Sequence, residues 1–128
     1  MKLLLDTHTL LWFLADDPKL SAAAKAALVD PANERLLSPI SLVEIALKAR
    51  LGKLLLSSPF GVLFPAQLTV NRIQLLPLEA KHIEPLSTLP LHHKDPFDRL
   101  IAATTLIETL RLVSVDPVFD AYGLTRLW

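Results

Sequence analysis

The chain has 128 residues, enough for one domain with a buried core. Its 13 basic and 13 acidic residues cancel, so net charge provides no general attraction to nucleic acid, and any such contact depends on local clusters. The absence of cysteine excludes disulfides, thiolate catalysis and cysteine-based zinc sites, and it is compatible with a cytoplasmic protein.

Apolar segments alternate with helical patterns through the first half of the chain. Residues 3–5 are continuously apolar, which is typical of a central parallel strand covered on both faces. Helices are predicted over residues 7–15, 21–29 and 41–51, and a strand over residues 34–38. Gly52 closes the third of these helices, because glycine readily adopts the backbone conformation that ends a helix.

The second half continues the alternation. Helices are predicted over residues 57–70, 79–89 and 95–110, with Pro65 and Pro85 as breaks, strands over residues 72–76 and 112–115, and a helical turn over residues 118–122. The helix from Asp95 has the strongest start signal, with Asp at the N-cap and Pro96 at the first helical position. The order of elements predicts a doubly wound α/β sandwich, a short parallel sheet flanked by helices, in one domain over residues 1–128.

Four acidic residues lie where predicted strands end or helices begin: Asp6, Glu44, Asp98 and Asp116. The carboxyl ends of parallel strands meet at one edge of a sheet, where open α/β folds build their ligand sites. Four converging carboxylates would repel one another unless a cation joined them. Hard oxygen ligands suit Mg²⁺ or Mn²⁺, so the pattern predicts a divalent-metal site for phosphate chemistry.

Each of these acids also has a purely structural interpretation. Asp6 can be an N-cap, and Asp116 before a proline can start a turn. Ser41 and Glu44 have the spacing of a capping box, in which each side chain bonds the other's backbone amide. Asp98 can complement the dipole of the helix that Asp95 caps.

With residues 95–103, Asp-Pro-Phe-Asp-Arg-Leu-Ile-Ala-Ala, and three further segments, the chain resembles a known family, the PIN domains. The resemblance is strongest to the VapC-type toxin ribonucleases of bacterial toxin–antitoxin pairs. The Asp-Pro-Phe-Asp-Arg-Leu-Ile-Ala-Ala segment is quite specific, and the matching segments follow the family's order over nearly the whole chain. These segments are residues 4–12, 38–46, 93–103 and 112–122. The resemblance implies a PIN-like three-layer sandwich and a metal-dependent endoribonuclease.

The resemblance also implies roles for particular residues. Asp6, Glu44, Asp98 and Asp116 would form the acidic quartet around Mg²⁺ or Mn²⁺, with Asp116 the least secure as a ligand. Asp95 is favoured as an N-cap over a metal ligand. Hydroxyl residues often lie near the metal in this family, and the candidates here are Thr7, Ser41 and Ser114.

Several basic residues near the acids could position phosphate groups. They are Lys48, Arg50, Lys53, Lys94 and Arg99. Lys48 lies four residues after Glu44 and could instead form an ordinary helical ion pair with it. His92 and His93 could contact RNA or support the metal site, although loop histidines are more often simply solvated.

The implied partners are an RNA substrate, a cognate antitoxin and a second copy of the chain, with no membrane. The 52% hydrophobic fraction and the mean hydropathy of +0.42 point the same way, because one small core would not cover residues such as Trp12, Phe13, Phe60 and Phe64. No apolar segment has the length of a membrane span. A soluble homodimer that binds an antitoxin peptide in a groove is therefore expected.

Two other functions remain open. Leu5-Asp6-Thr7 superficially resembles the opening motif of haloacid dehalogenase phosphatases, but those enzymes usually have a second aspartate where this chain has His8. The second alternative is a catalytically silent interaction module whose acids only cap helices. A titration with Mn²⁺ separates this silent module from a metal-dependent enzyme, since it should show no binding if the acids do not converge.

Overall fold

Five parallel strands form the centre of the molecule. In the computed structural model, which describes residues 1–128, these strands are β1 (Lys2–Leu5), β2 (Glu34–Leu37), β3 (Ile73–Leu75), β4 (Arg111–Val113) and β5 (Thr125–Leu127). Their order in the sheet is β3-β2-β1-β4-β5. Because every strand runs in the same direction, all five carboxyl ends lie at one edge of the sheet.

Helices cover both faces of this sheet. The helices are α1 (Thr7–Leu14), α2 (Ala22–Val29), α3 (Pro39–Arg50), α4 (Phe60–Leu63), α5 (Ala66–Val70), α6 (Ala80–Ile83) and α7 (Pro96–Ile107), with 3-10 turns at Glu84–Ser87 and Pro117–Tyr122. None of them is long and apolar enough to cross a membrane. The architecture is the predicted three-layer α/β sandwich.

The central strand explains how the core is divided into two parts. Leu3 and Leu5 belong to one buried cluster, whereas Leu4 belongs to another on the opposite face. Leu10 and Ile45 join the first cluster, and Ile101 joins the second. Side chains alternate between the two faces of a strand, so a central strand covered on both sides is apolar at every position.

The predicted capping box at Ser41 and Glu44 is wrong. Helix α3 begins three residues after Leu36, at Pro39, and the side chain of Ser38 caps it by accepting the Ile40 N–H at 3.2 Å. Pro39 suits the first helical position because its missing N–H would have no partner there. Ser41 and Glu44 are therefore free to point inward, and both are buried.

Other boundaries also differ from the prediction. The segment 57–70 divides into α4 and α5 around Pro65, and the segment 79–89 divides into α6 and a 3-10 turn before Pro85, as the prolines indicated. Helix α7 ends at Ile107 rather than residue 110, and Thr109 has a positive φ of 53°. Strand β5 was not predicted, because its polar residues Thr125 and Arg126 leave no apolar segment of the kind that marks the other strands.

Candidate active site

All four predicted acids line one cavity of about 340 Å³ at the carboxyl edge of the sheet. Asp6 follows β1 directly, and Asp116 lies three residues after the end of β4. Helix α3 contributes Glu44, and α7 contributes Asp98 from its first turn. Asp95, Lys48, His8, Trp12 and Val115 complete the wall. Five carboxylates therefore line a cavity whose only basic lining residues are Lys48 and His8.

Asp6 is held firmly by its neighbours. It is 7% exposed and caps α1, with Oδ1 accepting the Thr7 N–H at 2.8 Å. Its other oxygen, Oδ2, accepts a hydrogen bond from the Ser114 hydroxyl at 2.7 Å. Burial nevertheless raises the pKa of Asp6, because desolvation penalises the charged form more than these bonds favour it.

Glu44 is equally constrained. Its Oε1 accepts the Thr7 hydroxyl at 2.7 Å, and its Oε2 pairs with the Lys48 ammonium. Ser41 Oγ lies 3.0 Å from Thr7 Oγ1, and since Thr7 gives its only hydroxyl proton to Glu44, Ser41 donates to Thr7. The hydrogen bond to Glu44 raises the pKa of Lys48. The helical ion pair considered from the sequence is present, and it lies inside the acidic cavity.

The neighbouring acids strongly affect the ionisation of Asp98. Desolvation, followed by the repulsion of Asp6, Asp95, Glu44 and Asp116, raises its pKa from 3.8 to about 7. Helix α7 is capped by Asp95 instead, whose Oδ1 accepts the Phe97 N–H at 2.8 Å. Asp95 thus has the predicted N-cap role and also lines the cavity. Asp98 faces a negative field that no hydrogen bond relieves.

His93 lies between Asp98 and Asp116. Its Nδ1 is 3.5 Å from Asp98 Oδ2, and its Nε2 is 3.2 Å from Asp116 Oδ2, although that nitrogen is buried and not aligned for a hydrogen bond. The ring packs against Phe119 at 4.6 Å between centroids. The expectation that both loop histidines are solvated is wrong for His93, whose side chain is 12% exposed.

The basic candidates differ in where they point. Lys53 lines an adjoining cavity of about 250 Å³ together with Lys48, His8, Thr7 and Glu44. Arg50 and Lys94 are exposed and line neither cavity. Arg99 lines neither cavity, and its Nη2 donates to the carbonyls of Leu86 at 3.1 Å and Leu89 at 2.8 Å. Arg99 therefore ties α7 to the preceding 3-10 turn.

The arrangement bears on metal binding in two ways. No three of the acidic and histidine side chains are grouped tightly enough to hold an ion as they stand. Hydrogen bonds from Thr7 and Ser114 and the ion pair with Lys48 keep Glu44 and Asp6 engaged. The donor set is nonetheless all carboxylate, which suits Mg²⁺ or Mn²⁺, and the raised pKa of Asp98 marks negative charge that a cation would balance. The chemistry of the donors fits a divalent cation, and the side chains would have to move closer together to hold one.

Sequence reasoning missed two residues of this site, His8 and Trp12. His8 and Trp12 are one turn apart on α1, and both line the acidic cavity. Their spacing of four residues placed the two side chains on one helix face, but it did not indicate that this face borders Asp6. His93 was considered from the sequence as a possible support for the metal site, and the structure places it between Asp98 and Asp116.

A five-stranded parallel sheet with an acidic cavity at its carboxyl edge defines an α/β protein of the PIN-like class. Residues 3–124 match the model of the PIN domain, and the chain belongs to the PIN-domain family. No curated protein sequence matches it significantly.

Solved structures share its fold. VapBC2 from Rickettsia felis, bound to a DNA fragment from its promoter, matches with a TM-score of 0.73 and 19% identity over 98% of this chain and 97% of that one. VapBC-1 from nontypeable Haemophilus influenzae matches with a TM-score of 0.65 and 20% identity over 98% and 96% of the two chains. FitAcB from Neisseria gonorrhoeae matches with a TM-score of 0.56 and 23% identity over 97% and 95%. At these identities the likeness is one of fold.

Proposed function

We propose that the chain is a Mg²⁺- or Mn²⁺-dependent endoribonuclease and the toxin of a VapC-type toxin–antitoxin pair. The observation that carries the proposal is the single cavity that Asp6, Glu44, Asp98 and Asp116 line in a chain of the PIN-domain family. The fold similarity to VapBC and FitAcB structures supports the toxin–antitoxin context.

The cavity residues would divide the work of phosphodiester hydrolysis. Asp6, Asp98 and Asp116 would hold the cation, with Glu44 beside them. When bound, a divalent cation supplies an acidified water nucleophile and neutralises charge on the phosphate. Ser114 orients Asp6, and Thr7 orients Glu44, through hydrogen bonds of 2.7 Å each. Lys48 and Lys53 lie where they can contact a phosphate that enters the cavity.

The silent-module alternative has an observation of its own. Three of the cavity acids cap helical segments: Asp6 accepts from Thr7, Asp95 from Phe97 and Asp116 from Val118. Asp98 has no such structural bond, and Glu44 caps no helix. Caps explain three of the five acids, whereas a nuclease site accounts for all of them.

The direct test is cleavage of RNA by the purified chain. Total cellular RNA is incubated with the protein in Mn²⁺ or in EDTA, and the new 5′ ends are sequenced. We expect a small set of cut sites in Mn²⁺ that disappear in EDTA and with the Asp98→Asn variant. Equal cutting by that variant, or no cutting by the wild type in Mn²⁺ or Mg²⁺, would contradict the proposal. A small reading frame for an antitoxin is expected just upstream.

A homodimer is part of the proposal, but the structure points to other interface residues than the aromatic ones considered from the sequence. Phe64 is buried in the core, and Trp12, Phe13 and Phe60 pack against it, so they do not form a free apolar face. Exposed apolar residues lie instead along α3 at Val43, Leu47 and Leu51, which are 46%, 50% and 67% exposed. They follow a spacing of four residues, so they share one helix face.

The dimer is tested by light scattering on the wild type and on Leu47→Glu. A charge in an apolar interface is strongly unfavourable, so the variant is expected to become monomeric. Val70→Glu is a matched control, because Val70 is 74% exposed and lies on a different helix, α5. A wild type that is monomeric at every concentration would contradict the dimer.

A further inference from the structure

The wall between two cavities is formed by α1. His8 and Trp12 line the acidic cavity on one side and a larger cavity of about 660 Å³ on the other. Their rings are 5.7 Å apart. Whatever occupies the larger cavity therefore lies directly beside the carboxylates.

The larger cavity combines apolar and polar surfaces. Leucines from α1 and from the segment 54–56 provide apolar contacts, while Asp17, Ser57 and Gln67 provide hydrogen-bonding groups at its margin. Nucleobases have this same division, with apolar faces and polar edges.

Cationic side chains lie on both sides of the aromatic wall. Lys19 Nζ is 6.0 Å from the centre of the Trp12 ring and lines the larger cavity. Lys53 and Lys48 line the adjoining cavity of about 250 Å³, and His8 lines all three cavities. A polyanionic backbone that follows α1 would meet a lysine on each side of the acids, which favours a nucleic acid as the occupant.

We infer that Trp12 is a stacking platform for one unpaired nucleobase of single-stranded RNA, adjacent to the cleavage position. The inference rests on the proposed ribonuclease function and deepens it by naming the residue that holds a base beside the cleavage position. Base stacking on aromatic side chains is the common way in which proteins hold single strands. A base in a duplex cannot reach such a platform, because its faces are already stacked on neighbouring bases.

The test measures binding, so that it does not depend on cleavage. Fluorescence anisotropy follows labelled oligoadenosine hexanucleotides, each with one abasic position, on Asp98→Asn protein in Mg²⁺ buffer. Removal of the base at one position is expected to weaken binding about tenfold, the size of a base–aromatic stack. In the Trp12→Leu background the same abasic position is expected to have no effect, whereas Trp12→Phe keeps the effect in part.

Phe13→Leu is the matched control. Phe13 is the neighbouring aromatic residue on α1 and packs against the same core cluster, but it lines none of the three cavities. It should leave the abasic pattern unchanged. Melting curves establish that each variant is folded. The abasic scan on protein that retains Trp12 does not depend on whether a Trp12 variant folds.

Three results would overturn the inference. They are a flat abasic scan with Trp12 present, an unchanged scan in Trp12→Leu, or an equal effect with the duplex form of the oligonucleotide. A scan unaffected by Trp12→Leu would assign the larger cavity to a protein partner instead. If the protein cleaves RNA but the abasic scan is flat, the proposed nuclease activity stands and the role of Trp12 is refuted. If the scan depends on position but no RNA is cleaved, the role of Trp12 in binding stands and the nuclease activity is refuted.

Discussion

Carboxylates in this protein occur in two contrasting environments. Two carboxylates outside the cavity have basic partners of their own: Glu108 contacts His82 at 2.7 Å and Lys81 at 3.0 Å, and Asp120 pairs with Arg126 through two bonds of 2.9 Å. The hydrogen bond from His82 above all lowers the pKa of Glu108, and the bond from Arg126 lowers that of Asp120. In the cavity, by contrast, the pKa values of Asp6 and Asp98 are raised.

The difference separates charge that supports the fold from charge that is available for function. Paired carboxylates are satisfied by the chain itself and need no further ligand. Asp98 is opposed by four neighbouring acids, and an arrangement that destabilises the folded protein in this way is typical of a functional site. The comparison predicts that removing a carboxylate charge stabilises the metal-free protein in the cavity and does not stabilise it outside the cavity.

The largest contrast is expected in catalysis. Asp6→Asn, Glu44→Gln and Asp98→Asn each remove a charge that would face the metal while preserving side-chain volume. Each is expected to lower the cleavage rate by about a thousandfold or more, since metal ligation contributes several kcal/mol to transition-state stabilisation. Asp120→Asn in the outer region is the control and should retain wild-type cleavage in the same RNA assay. Full activity in a folded Asp98→Asn protein would break the comparison.

A smaller effect is expected from the hydroxyl that supports Glu44. Thr7→Val keeps the side-chain shape but leaves the buried Glu44 Oε1 without its donor, and it should destabilise the protein by about 1–3 kcal/mol. Thr105→Val is the matched control, because the Thr105 hydroxyl only bonds the Ile101 carbonyl of its own helix. Urea unfolding measures both. Similar losses in the two variants would place Thr7 among ordinary core residues.

The pH dependence of stability should also differ between the regions. Asp98 has a higher pKa in the folded than in the unfolded protein, so its contribution is full below about pH 4 and is lost as the pH rises to about 7. Glu108 has a lowered pKa, so its contribution is present at neutral pH and is lost only in acid, below its ordinary value of 4.5. Unfolding free energies of the metal-free protein across this range check both directions. In the Asp98→Asn variant the free energy of unfolding should decrease less between about pH 4 and pH 7 than in the wild type. The Glu108→Gln variant should keep the wild-type decrease over this range.

The strand pattern allowed the acidic edge to be predicted, because apolar segments of buried parallel strands run directly into Asp6 and towards Asp116. Side-chain direction within loops and helices was harder. Arg99 follows Asp98 in sequence, yet it turns away because the carbonyls at Leu86 and Leu89 need a donor. His93 approaches the acids only because its ring packs on Phe119, a contact between distant segments that no local pattern reveals.

The central claim is that Asp98 belongs to a charge cluster that a cation completes, and thermal melts in two buffers test it most directly. In EDTA at about pH 8, where Asp98 is charged, Asp98→Asn should melt above the wild type because it relieves repulsion from four acids. In saturating Mn²⁺ the order should reverse, since a ligand that binds the folded wild type adds stability that the variant lacks. Asp120→Asn should shift equally in both buffers. An Asp98→Asn protein that melts below the wild type by the same amount in EDTA and in Mn²⁺ would contradict the claim and leave Asp98 with a structural role at the start of α7.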